Sequence, residues 1–333
     1  MWPRSPDPGT VEGWVERALE LAKAGSPARA RALLAGVRWN PAAGGEAALE
    51  ASTLAEGLGD LRLRTHAWRV RVETLVASGH SGEALAALPG GLQLLDEITD
   101  PELRSTVYWG GGMAHLGAGD LAEARRHALL HEEAERELTV HHAVHGVAYR
   151  LMVEELGGRW ETVRKLTPET QERVAANKAP CTLNPRSLLV CAVASADAGD
   201  EAEARRLEES ADELGMQGYG MTIDAPRVRL ALVRGDLETV ERILAEPFKS
   251  AIYVELAALA ARLDGLTALR DRARIEEEAP RLARPHTVLE PFALRALGVV
   301  REDAALLEQA AARFAELGLD WHATQARALL SRR

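Results

Sequence analysis

The chain has 333 residues, 47% of them hydrophobic and 4% aromatic, and a formal net charge of −10. Acid outweighs base and no basic face is visible to neutralise a phosphate backbone, so direct nucleic-acid binding is not expected. Two cysteines, Cys181 and Cys191, are too few for a disulfide scaffold, and no CxxC pair is present for zinc.

Residues 1–9 hold three prolines and read as a flexible lead-in. Ala, Leu, Glu and Arg, all strong helix formers, dominate the rest of the chain, and no stretch alternates with the period of a strand. A first helix is predicted from Thr10 to Ala24, with Val11, Trp14, Val15, Ala18 and Leu21 on one face, and Gly25 stops it. Ser26-Pro27 opens the next helix. Serine caps the free N–H groups, and proline at the first helical position loses no hydrogen bond. The same device marks helix starts at Asp100-Pro101 and Asn184-Pro185. After a break at Trp39 to Gly45, helices are predicted over 45–58, 61–78 and 82–95, the last interrupted by Pro89-Gly90-Gly91. Further helices are predicted over 101–116, 121–137, 139–156, 160–176, 185–198, 201–214 and 223–234. The series closes with 237–244, 249–263, 266–279, 288–300, 304–317 and 321–331. Residues 177–184 and 215–222 read as loops.

One helix–turn–helix phrase repeats. Gly119-Asp120 with Leu121-Ala122-Glu123-Ala124-Arg125-Arg126 returns at Gly199-Asp200 and Gly235-Asp236. Breaks after the first helix of each pair fall at Gly25, Gly79, Gly119, Gly158, Gly199, Gly235, Gly265 and Asp303. Most are about 34–42 residues apart, the range of two-helix repeats. The longer interval from Gly25 to Gly79 holds an extra helix.

Within Thr106 to Ala124 the spacing resembles a tetratricopeptide repeat. Gly112 stands at the close approach of two helices, Gly119-Asp120 at the turn, and Ala124 where the second helix touches the first. The stretch from Ala311 to Arg327 resembles the end of the helical-repeat region in large bacterial regulators of the LuxR-type and adenylate-cyclase-linked ATPase class. The resemblance implies an all-α fold, a right-handed superhelical solenoid of about eight antiparallel helix pairs. It would form a single domain over 10–333 with a capping helix at 321–331. It also implies a sensor or regulatory module of bacterial signalling or transcription control. The P-loop of the ATPase part is missing, since no GxxxxGK[ST] surrounds any lysine.

In such solenoids the first helices of successive pairs line a groove. Counting back from each turn places His66, Arg69, Glu73, Trp109, Met113, His145, Met152, Arg186, Arg229 and Phe292 on that face. Arg donors among aromatic and Met surface suit a protein or peptide partner, or a small anionic effector. Arg62, Arg64, Arg69 and Arg71 also cluster around Trp68 and could hold a phosphate or carboxylate. His127 and His131, and His141 and His145, lie four apart and could chelate a metal, but HExxH is absent and the expectation is no metal. The glycines Gly110 to Gly112 read as close helix packing, since no strand precedes them. The runs Glu132-Glu133, Glu208-Glu209 and Glu276 to Glu278 read as solvated faces. Nothing resembles GxSxG.

The expected function is therefore non-catalytic binding of a protein, peptide or small effector, with no cofactor. A purely structural assembly platform and a metal-dependent hydrolase built on the four histidines are the rivals. No apolar run reaches bilayer length and no leader is evident, so a cytoplasmic setting without membrane contact is expected.

Overall fold

The computed structural model describes residues 6–39, 44–216, 219–245 and 255–331. Among them every regular element is a helix and no strand occurs. The first residues of the lead-in, the centre of the break at 40–43 and the predicted helix start at Lys249 lie outside the described residues. No described helix is long and apolar enough to cross a membrane.

The chain divides into two compact units, one ending at His142 and the other running from Ala143 onward. The first unit holds α1 (Pro8–Leu21), α2 (Pro27–Trp39), α3 (Gly45–Leu58) and α4 (Leu61–Ala77). Two short helices come next, α5 (Ser81–Ala86) and α6 (Leu88–Leu94), then α7 (Pro101–Ala118) and α8 (Leu121–Arg136). Helix α9 (Val140–Leu156) begins at the end of this unit and belongs mostly to the next. The second unit continues with α10 (Trp160–Ala176), α11 (Leu183–Asp197), α12 (Glu201–Glu213), α13 (Met221–Arg234) and α14 (Leu237–Ala245). It ends with α15 (Glu255–Leu269), α16 (Arg272–Leu282), α17 (Glu290–Val300), α18 (Ala304–Glu316) and α19 (Asp320–Ser331).

The Gly-Asp phrase has a direct physical meaning. Gly119 ends α7 with a left-handed φ of 81°, a conformation in which any Cβ is strained. Asp120 then caps α8, its carboxylate accepting the Glu123 N–H at 3.2 Å. Asp200 and Asp236 repeat the cap on Glu203 and Thr239 at 3.1 and 3.0 Å. Losing one such cap costs about 1 kcal/mol.

Three expectations need correction. Gly265 is not a turn: it lies inside α15, where a Cβ would come within 2.8 Å of Leu244. The turn falls at Arg270, which takes the left-handed conformation without being glycine, and Asp271 caps α16. Asn184 is not a cap either. Helix α11 starts one residue earlier, and the Asn184 side chain accepts a hydrogen bond from Asn177 Nδ2 at 3.1 Å. Finally, Glu132 is buried rather than solvated, and Glu278 holds Arg262 in a two-pronged pair at 2.7 and 2.8 Å.

Packing obeys a regular rule inside each unit. In the first, α4 packs on α7 and α7 on α8. In the second, α11 lies against α12 but also against α13, α13 against α15, and α15 against α17. Alanine is the usual residue at these contacts, which lets helix axes approach closely. Larger anchors sit at the end of the second unit. Phe292 and Phe314 meet edge to face at 4.9 Å and His322 stacks on Phe314, a cluster worth about 1 kcal/mol per ring pair beyond area burial.

Candidate functional site

Five successive odd-numbered helices of the second unit contribute charged side chains to one linked ladder in its interior. They are Glu155 on α9, Arg186 on α11, Arg229 on α13, Asp264 on α15 and Arg295 on α17. Arg186 donates to Glu155. Arg229 Nε lies 3.6 Å from the same carboxylate, and Arg229 Nη1 donates to Asp264 Oδ2 at 2.9 Å. Arg295 donates to the other oxygen of Asp264 and stands over the Phe314 ring at 4.9 Å. Arg186 is 1% exposed, Arg229 3% and Glu155 fully buried, so this ladder lies within the unit and not on its surface.

Its charges do not balance. Three guanidinium groups face two carboxylates. Nε and Nη1 of Arg186, and Nε and Nη2 of Arg229, are buried without a hydrogen-bond acceptor. Burial lowers the pKa of Arg295, against the attraction of Asp264 and together with repulsion from Arg229. An incompletely paired buried cation is costly, and a guanidinium presents its donors as a planar fork matched to carboxylate or phosphate. Beside the ladder, His322 bonds the Leu156 carbonyl at 3.2 Å. Burial holds its pKa far below the usual histidine value, with Arg295 and Arg229 adding to the effect.

The structure therefore brings together Arg186 and Arg229, two of the residues assigned to the groove. Phe292 adjoins the same ladder, its ring 5.4 Å from the Arg295 guanidinium and 4.7 Å from the His322 ring. Met113 and Met152 are 2% exposed and Phe292 fully buried, so these three form core and not groove surface. In the first unit Glu73 accepts the Trp109 indole N–H at 2.6 Å and lies 3.7 Å from Arg69 Nε. His66 is half-buried, and burial, with Arg69 and Arg38 nearby, lowers its pKa to about 4. In the second unit His145 Nε2 lies 3.6 Å from Cys181 Sγ. Inward-facing stripes of first helices are consumed by packing, which is why Glu73, Trp109, Met113, Met152, Arg186, Arg229 and Phe292 are buried, while His66, Arg69 and His145 are partly exposed.

The arginines around Trp68 are largely compensated. Arg62 pairs with Asp100 and Glu102 at 2.6 and 3.0 Å, and Arg64 with Glu56 and Glu97 at 3.1 and 3.4 Å. Arg64, Trp68 and Arg71 line a cleft of about 590 Å³, but Glu56 and Glu83 line it too. Its charges cancel where those of the ladder do not.

The histidines are also redistributed. His131 turns its Nδ1 to the Ser105 carbonyl at 3.0 Å, away from any pairing with His127. His127 instead groups with His115 and Glu123, whose ligand atoms all lie within 4.8 Å of one another.

Glu155, Asp264, Arg295 and His322 were not identified from sequence. A signal existed: Arg186 in LNPRSLLVCAVA and Arg295 in PFALRALGVV are single charges in otherwise apolar helices, a pattern of burial. No protein-family model matches the chain, and no curated protein matches it in sequence.

Proposed function

We propose that the chain is a non-catalytic recognition module whose second unit binds an anionic group of a peptide or small effector at the arginine ladder. The observation that carries this is the surplus of buried guanidinium donors at Arg186 and Arg229 over the unbonded ladder acceptor, Oε1 of Glu155, which lies 3.6 Å from Arg229 Nε. A carboxylate or phosphate seated there would meet forked donors in a low-dielectric setting, where such hydrogen bonds are strong. The ladder presents forked donors and His322 beside it is held neutral by burial, an arrangement suited to binding. The packing of first helix on first helix supports the finer reading of a tetratricopeptide-like right-handed solenoid of about eight pairs. With the resemblance at 311–327, it supports a sensor role in cytoplasmic signalling or transcription control, with a protein or peptide as the direct partner.

The test is thermal unfolding in phosphate, citrate and acidic peptides, against chloride at matched ionic strength. A ligand of the folded state raises the melting temperature in a saturable way. Arg229→Lys keeps the charge but loses the fork, and should remove most of that rise. If no anion gives a saturable rise, the ladder only holds helices together, and the structural-platform reading replaces this one.

A further inference from the structure

We propose a divalent transition-metal site, of zinc-like preference, at the turn joining α7 to α8, formed by His115, Glu123 and His127. His115 lies in the last turn of α7. Glu123 and His127 are four apart on α8 and so share a face. Each offers a ligand atom, and all three atoms fall within 4.8 Å of one another. Tetrahedral ligand atoms around zinc stand roughly 3.3–3.5 Å apart, given bonds of about 2.0–2.2 Å. Small side-chain rotations that draw the atoms together by up to about 1.4 Å would close the set.

Four further observations point the same way. Nδ1 of His127 is buried without a hydrogen-bond partner, although His127 is only 1% exposed. Nδ1 of His115 also lacks a hydrogen bond and lies 3.3 Å from Asp120 Oδ2, where a carboxylate can orient the ring or complete the coordination. Gly111 makes room for the His127 ring: a Cβ there would lie 2.5 Å from Cε1 and 2.7 Å from Nδ1. The two imidazole rings face each other, with centroids 5.4 Å apart at 26°.

The charged groups around the set are Asp120, Glu123 and Arg126. Arg126 Nε holds Glu123 at 2.8 Å, but this pair is largely exposed and competes weakly for the carboxylate. A bound ion would clip the end of one helix to the start of the next. This site is independent of the anion ladder, which lies in the other unit.

The experiment is titration of the full, metal-stripped chain with Zn²⁺ and Co²⁺ at neutral pH, read by calorimetry and by the visible absorption of bound Co²⁺. One saturable site with a tetrahedral Co²⁺ spectrum is expected, together with a metal-dependent rise in melting temperature. His115→Gln and His127→Gln should each weaken binding by about tenfold or more. His80→Gln, at an exposed position outside the set, should leave it unchanged. Should His127→Gln fail to fold, His115→Gln decides alone, since that ring is only half-buried. Absence of a saturable site, or a site that survives His115→Gln, overturns the proposal.

Discussion

Glu135 is where protons act most directly on this fold. It is 3% exposed on α8, and burial raises its pKa to about 7, against weaker downward pulls from Ser105 and Arg69. The folded value lies above that of the unfolded chain, so the stability it contributes is complete below about pH 4.3 and is lost as pH climbs to 7. The loss amounts to about 3 kcal/mol. His131, one turn earlier, acts with the opposite sign. Burial lowers its pKa to about 4, so its contribution is complete above about 6.5 and is lost as pH falls towards 4. The two slopes oppose each other through the shared window. Glu135→Gln removes one of them. The variant should match the wild type near pH 4 and exceed its stability by up to about 3 kcal/mol at pH 8. Urea unfolding across that range checks it, and a difference independent of pH would show that burial does not raise the carboxyl's pKa above its unfolded value. Sequence alone did not reveal this pair. The neighbouring run Glu132-Glu133 reads as a solvated face in an Arg- and Glu-rich helix, and only tertiary packing buries Glu132 and Glu135.

At the scale of the element, what ends each helix was largely legible. Gly25, Gly79, Gly119, Gly158, Gly199 and Gly235 all adopt positive φ, as turn glycines should. The reading failed at Gly265 because glycine has two uses that look identical in sequence, the left-handed turn and the close approach of a neighbour. Arg270 and Glu302 make the missing turns with φ of 52° and 55°. A side chain in that region costs about 1–2 kcal/mol. Both residues are exposed, so little packing is at stake. Arg270→Gly should therefore stabilise the chain by about 0.5–1 kcal/mol once the added flexibility of the unfolded state is deducted. Gly119→Ala should destabilise it by about 1–2 kcal/mol. Shifts of the urea midpoint in opposite directions are the expected result, and a loss from Arg270→Gly would mean that its backbone is not strained.

Across the whole molecule, charge is divided unevenly: the chain is acidic in sum and buries both Glu and Arg side chains, but the ladder holds more arginine than carboxylate. The formal net charge is −10, yet the ladder buries three arginines against two carboxylates. Its partners lie 31, 35 and 31 residues apart, about one repeat each. Composition could not show this, because net charge sums over every residue and does not tell where each one lies. The repeat period could have, had single charges in apolar first helices been traced from one pair to the next. The division has a kinetic consequence for the anion proposed to bind there. An anionic ligand approaching an acidic protein is repelled at long range, and salt screens that repulsion as the Debye length falls from about 30 Å at 0.01 M to about 8 Å at physiological strength. The buried contacts, once made, are screened much less. Association should therefore quicken with added salt while dissociation barely changes, the reverse of electrostatically steered binding. Stopped-flow measurements with an acidic peptide over that range test it. An association rate that falls with salt would place the ligand on an exposed basic patch, such as the arginines near Trp68, and not in the ladder.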